Sequence, residues 1–166
     1  SFDAIVMNNT TMRLPLLDID TENMDEQQKA DAEEREDKAR KRFLDFVRNG
    51  KGIVCAHAAT DCLYTWPEYG DLIGGYFSGH PWNENVVVKL DDPGHPLTRA
   101  FNGQSFEVVD EIYQFRDPYS RDRLRVLMSL DAERVNMTSD KIRRQDKDFA
   151  VAWIRDYGKG RVFYFS

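Results

Sequence analysis

The stretch GKGIVCAHAATD, residues 50–61, leaves few folds open. Gly50-Lys51-Gly52 reads as a helix end and a tight turn, and Ile53-Val54-Cys55-Ala56 as a buried strand. The strand stops at His57, and Ala58, Ala59, Thr60 and Asp61 follow. Open α/β sheets bind ligands at the carboxyl ends of their strands. His57, Thr60 and Asp61 stand at such an end. By itself His57 reads equally as a site group or as a hydrogen-bonded histidine closing a strand.

The flanking segments support a sheet with helical crossovers. FDAIVMNNTT, residues 2–11, reads as a buried strand running into a polar loop, where Asn8 to Thr11 are turn formers or ligand donors. Residues 25–49 read as one long helix. Its first half is charged, with helpful pairs at Glu34–Lys38 and Glu36–Arg40. Ala39, Phe43, Phe46 and Val47 supply a core stripe in the second half. The strands on either side of this helix are therefore expected to lie parallel in one sheet. A second, short helix starts at Pro67, in the first-turn position where a missing N–H costs nothing. Strands follow at 86–90, at 105–115 (one strand or two short ones) and at 124–130, with 131–148 a polar surface loop. FAVAWIRDY and RVFYFS flank Gly158-Lys159-Gly160 as a hairpin. Early strand–helix alternation followed by strands implies a single domain, a three-layer α/β sheet with an antiparallel extension.

Composition narrows the partners. The 166 residues carry a net charge of −6, with 41% hydrophobic and 31% charged residues. This is a soluble globular composition, and its sign argues against nucleic acid as the main partner. No apolar run is long enough to span a membrane. Two cysteines, Cys55 and Cys62, are too few for a disulfide framework. Cys55 also lacks the glycine-flanked elbow of a nucleophile.

Three histidines are present. His80 lies in Gly79-His80-Pro81-Trp82 and returns toward the sheet after the short helix, which makes it the better site candidate. His95, in the DPGHP turn, reads as structural or exposed. Asp110-Glu111 interrupts an apolar stretch, and strand alternation sends only one of the two to solvent. Two histidines and a carboxylate transfer protons or, with weaker support from the spacing, hold a divalent metal such as zinc through His57 and His80.

GIVCAHAATD, WPEYGDLIGGYFSGHPW, DPGHP, DEIYQF and YGKGRVFYFS, taken in order, resemble the ThuA-like (trehalose utilisation) domain over nearly the whole chain. The resemblance implies a flavodoxin-like three-layer α/β/α sandwich of the class I glutamine amidotransferase-like superfamily, with a mostly parallel sheet and an antiparallel C-terminal hairpin. It also implies loss of the amidotransferase cysteine, and a pocket formed by His57, Asp61, His80 and Glu111. Similar domains carry a further strand and helix before the first strand here and a Leu-Gly-His segment after the last. The 1–166 span is therefore expected to be a partial domain, cut at both ends, with an apolar sheet face left open.

The function expected from these readings is action on a small sugar of the trehalose or sucrose type. His57, His80 and Glu111 are the catalytic candidates, and Thr60, Asp61, Trp82 and Tyr113 the substrate-binding ones. The alternative is a non-catalytic carbohydrate-binding or interaction domain in which Tyr64, Trp66 and Trp82 stack on sugar faces. A homo-oligomer and either a cytoplasmic or an exported location stay open.

Overall fold

The computed structural model describes residues 2–166. Strand β1 (Ala4–Asn8) leads through an irregular segment to helix α1 (Glu26–Arg48), and β2 (Gly52–Ala56) follows. Asp25 caps α1. Its carboxylate accepts from the Gln28 N–H at 2.8 Å, and the Gln28 side chain accepts from the Asp25 N–H at 3.0 Å. The pairs Glu34–Lys38 and Glu36–Arg40 form on the charged half. That half is not wholly solvated, because the irregular segment packs on it. Arg40 donates to the Leu17 carbonyl, Glu36 accepts from the Ile19 N–H, and Ala32 is fully buried.

Helix α2 (Pro67–Ile73) precedes the two-residue strand β3 (Tyr76–Phe77) and the long β4 (Trp82–Leu90). Then come β5 (Phe106–Ile112), β6 (Phe115–Arg116), β7 (Arg125–Leu130), β8 (Ala150–Tyr157) and β9 (Gly160–Phe165). The main sheet has the order β1-β2-β9-β8-β7-β4-β5, and β3 pairs with β6 apart from it. β1 and β2 are parallel, as are β2 and β9, while the remaining neighbours are antiparallel. Followed through these pairings, β1, β2, β5, β7 and β9 run one way and β4 and β8 the other. In strand direction the sheet is thus mostly parallel.

The C-terminal hairpin forms as expected, but it does not lie at an edge. β9 enters between β2 and β8, and the end of α1 closes directly over its start. A Cβ on Gly160 would sit 1.9 Å from the Val47 carbonyl oxygen, so only glycine fits this approach.

Both helices cover one face of the sheet. Ile53, Cys55, Trp153, Val162 and Tyr164 from that face join Leu44, Val47, Tyr69, Leu72 and Ile73 in one buried cluster. On the opposite face no helix layer lies among the described residues. Val6 is 65% exposed and Phe165 40%. A hollow of about 970 Å³ there is lined by Val54, Phe163, Ile154 and Leu97, remote from the candidate site residues. The 131–148 segment has no strand or helix, yet it is more than a surface loop. Val135, Met137 and Ile142 cover a second cluster built on Trp82, Ile112 and Phe149.

Candidate functional site

At the end of β2 the chain reverses abruptly. His57 adopts φ +46, a left-handed conformation that costs a non-glycine residue on the order of 1 kcal/mol, and opens a 3₁₀ turn over His57–Thr60. The His57 carbonyl accepts from the Tyr164 hydroxyl at 3.0 Å and from the Thr60 hydroxyl at 3.3 Å. Tyr164 is itself held in the core, stacked on Trp153 at 4.0 Å and edge-on to Phe115. The aromatic core thereby fixes the turn that presents the imidazole.

Glu111 lies next to the end of β5. Asp110 is exposed, and Glu111, beside the strand end, is turned toward the site, 29% exposed. His80 comes from the loop after β3. That loop is pinned to residue 114 by the Ser78 N–H to the Gln114 carbonyl at 2.8 Å and the Gln114 N–H to the Gly79 carbonyl at 2.9 Å.

These three strand ends bring His57, Glu111 and His80 together. Glu111 Oε2 is 3.4 Å from His57 Nε2, and Glu111 Oε1 is 3.2 Å from His80 Nδ1. The carboxylate is divided between two imidazoles, one per oxygen. The first contact is close without being aligned as a hydrogen bond. His57 Nε2 is therefore enclosed with no hydrogen-bond partner, although 29% of the side chain is exposed. Tyr113 lies against the His57 ring at 4.2 Å, and Phe77 bridges Tyr113 (4.3 Å) and the His80 ring (6.0 Å). Burial, with Glu111 beside it, pushes the Tyr113 phenol up, so it stays a neutral proton donor.

The other expected site residues fall differently. Asp61 is engaged by Tyr64, whose hydroxyl donates to one carboxylate oxygen, and by Thr11, whose hydroxyl donates to the other at 3.3 Å. Thr60 is fully buried and spends its hydroxyl on the turn. Trp82 is also buried. It packs edge-on against Phe149 and donates its indole N–H to the Asn136 carbonyl at 2.7 Å, because the 131–148 segment folds over it. Trp66 is core as well, and Tyr64 alone of the three stacking candidates is exposed. Asn9 and Thr11 act as loop struts, with Asn9 accepting from the Ala58 N–H. His95 stays outside the cluster. Its Nδ1 accepts from the Leu97 N–H and caps the 3₁₀ turn at Pro96–Phe101.

Two supporting residues were missed by the sequence reading. Phe77 carried no distinguishing signal. Gln114 did, as an amide inside the aromatic run Ile112-Tyr113-Gln114-Phe115. It is 1% exposed, and its side chain donates to the Lys141 carbonyl and accepts from the Arg143 N–H, both at 2.8 Å.

Among the described residues no group of three His, Cys, Asp or Glu side chains is arranged to hold a metal ion. The two imidazoles address different oxygens of one carboxylate. Cys55 and Cys62 are free and buried, and burial pushes both thiols up, away from the reactive thiolate.

The fold and this cluster define a mixed α/β domain with a polar site at its strand ends. The model of the ThuA family, trehalose utilisation, matches residues 1–166, and the chain belongs to that family. Among solved structures it is similar to a ThuA-like protein from Bacteroides uniformis, with 24% identity, TM-score 0.63, and coverage of 99% of this chain and 59% of that one. A ThuA-like protein from Parabacteroides merdae is 21% identical, with TM-score 0.60 and coverage of 77% and 53%. A cytoplasmic protein of Salmonella typhimurium LT2 is 16% identical, with TM-score 0.55 and coverage of 99% and 60%. At these identities the likeness shows the fold alone, and the chain spans a little over half the length of each of these proteins. No curated protein matches the chain. No helix among the described residues is long and apolar enough to cross a membrane.

Proposed function

We propose that this domain binds a small sugar at the strand ends and acts on it by acid–base chemistry from His57, Glu111 and His80. The observation that carries the reading is the single carboxylate set between two imidazoles. Glu111 orients both rings and stabilises whichever becomes cationic. His80, 44% exposed, is the more open ring and exchanges a proton with a sugar hydroxyl or glycosidic oxygen. His57 takes the complementary role, and the neutral Tyr113 phenol supports it. Asp61 and the exposed ring of Tyr64 form the rim on which a sugar rests. The burial of Trp66 and Trp82 weakens the reading as a non-catalytic stacking platform, and the buried cysteines weaken that of a glutaminase.

Calorimetric titration with trehalose, sucrose and their oxidised forms tests this, followed by product analysis. One of these sugars is expected to bind, with affinity about 10-fold or more lower in Glu111→Gln and in His80→Ala. His95→Ala is expected to bind like the parent and to lose about 0.5 kcal/mol of stability with its cap. Sugar binding that survives both cluster substitutions would refute the site.

A further inference from the structure

We propose that Arg116 and Arg143 form an oxyanion subsite beside the His57–Glu111–His80 cluster, so that the sugar this domain takes carries a carboxylate or phosphate group. The inference rests on the sugar-binding reading above and narrows its substrate class.

The two arginines line one cavity of about 290 Å³ with Phe77, Ser78 and Gly79. Its wall is shared with the cluster. Phe77 packs on Tyr113 and against the His80 ring, and Gly79 immediately precedes His80. A ligand whose polar body sits at His80 therefore extends an attached group into this cavity.

Arg121, Arg123, Arg125 and Arg144 each pair with an aspartate, and among the unpaired arginines Arg116 and Arg143 share one cavity. Among the described residues Arg116 and Arg143 have no carboxylate within salt-bridge distance. Arg116 instead lies over the Tyr64 ring at 4.9 Å, and Arg143 Nη1 is 3.4 Å from the Ser78 hydroxyl. Both guanidiniums keep donors free for a planar or tetrahedral oxyanion. In a chain of net charge −6, two guanidiniums lining one concavity attract an anionic group to it.

The cavity is also built, because the buried Gln114 holds both of its sides. Its backbone pairs with Ser78 and Gly79, and its side-chain amide bonds the backbone at Lys141 and Arg143. An amide buried to this degree and bonded to both loops sets the spacing between them before any ligand arrives.

Glucose, glucuronate and glucose 6-phosphate, titrated by calorimetry into the parent and into Arg116→Gln, Arg143→Gln and Glu111→Gln, test the proposal, with melting temperature recorded for each variant. One of the two acidic sugars is expected to bind about 10-fold or more tightly than glucose. That advantage is expected to shrink with rising salt and to disappear in either arginine variant, while the melting temperature stays near the parent's. The acid preferred tells carboxylate from phosphate. Equal affinity for all three sugars, or an advantage untouched by both arginine variants, would overturn the subsite. If glucose binding depends on Glu111 while the acids gain nothing, the subsite falls and the sugar reading stands. If the acids bind through the arginines with no dependence on Glu111, the subsite stands and the sugar reading falls.

Discussion

Trp153 and Tyr164 are fully buried, and each polar atom on them is paired: the Trp153 indole donates to the Ile73 carbonyl at 2.9 Å, and the Tyr164 hydroxyl to the His57 carbonyl at 3.0 Å. His57, Glu111 and His80 are joined to this wall through that same Tyr164 bond, and they differ from it in every respect. They are between 29% and 44% exposed, they meet across loosely aligned contacts, and one imidazole nitrogen has no partner. The wall gains its free energy from burial and stacking, which reward completed contacts. The cluster gains little from its own contacts, and its groups stay available to a ligand. Substitution in the wall should therefore be read in stability, and substitution in the cluster in binding.

The largest effect is expected from Trp153→Ala. It removes a stack on Tyr164, an edge contact with Phe115 and a buried hydrogen bond. Urea unfolding is expected to show a loss of about 3–5 kcal/mol. A loss below about 1 kcal/mol would mean that the wall does not hold the sheet. Alkaline pH probes the same region without mutation. Burial raises the phenols of Tyr69, Tyr119 and Tyr164 above their ordinary value. The native state then holds protons that the unfolded chain releases, so their contribution is full below the ordinary phenol value of about 10. It declines as pH rises above that, by up to about 1.4 kcal/mol per pH unit for each tyrosine. Thermal melts between neutral pH and strong alkali check the slope, and a flat profile through pH 11 would contradict it.

Tyr164→Phe has a smaller expected effect than Trp153→Ala and tests the join between the two regions. The ring stays, and only the hydroxyl that holds the His57 carbonyl is lost. Stability is expected to fall by about 1 kcal/mol, and sugar binding to weaken less than in Glu111→Gln. A binding loss as large as that of Glu111→Gln would move Tyr164 from the wall into the site.

Much of the fold was legible. The helices at 26–48 and 67–73 follow from favourable charge pairs, an apolar stripe and a proline at the first turn. The strands around them follow from short apolar runs. In the candidate site, the proximity of His57, His80 and Glu111 was legible because each is a titratable group where the local pattern gives no packing reason for one. Thr60 and Trp82 were misread for a shared reason. Residue type and position mark a polar or aromatic group near a strand end, but a hydroxyl turned to the His57 carbonyl and a segment folded over an indole leave no periodic trace. Gln114 was overlooked although its setting, an amide among aromatics, signals an obligatory buried network.

By itself the sequence determined what depends on near neighbours: element type and ends, the long helix, the hairpin turn and the candidate acids and imidazoles. Such features follow from side-chain periodicity and backbone hydrogen bonding within a few residues. Only the tertiary structure decided that β9 enters the middle of the sheet, that the helices leave Val6 and Phe165 uncovered, and that Glu111 stands between His57 and His80. It also decided that Arg116 and Arg143 share one cavity. These are contacts between segments far apart in the chain. Strand order and loop cover choose among many pairings that local preference leaves nearly equal, and burial of the aromatic wall settles the choice.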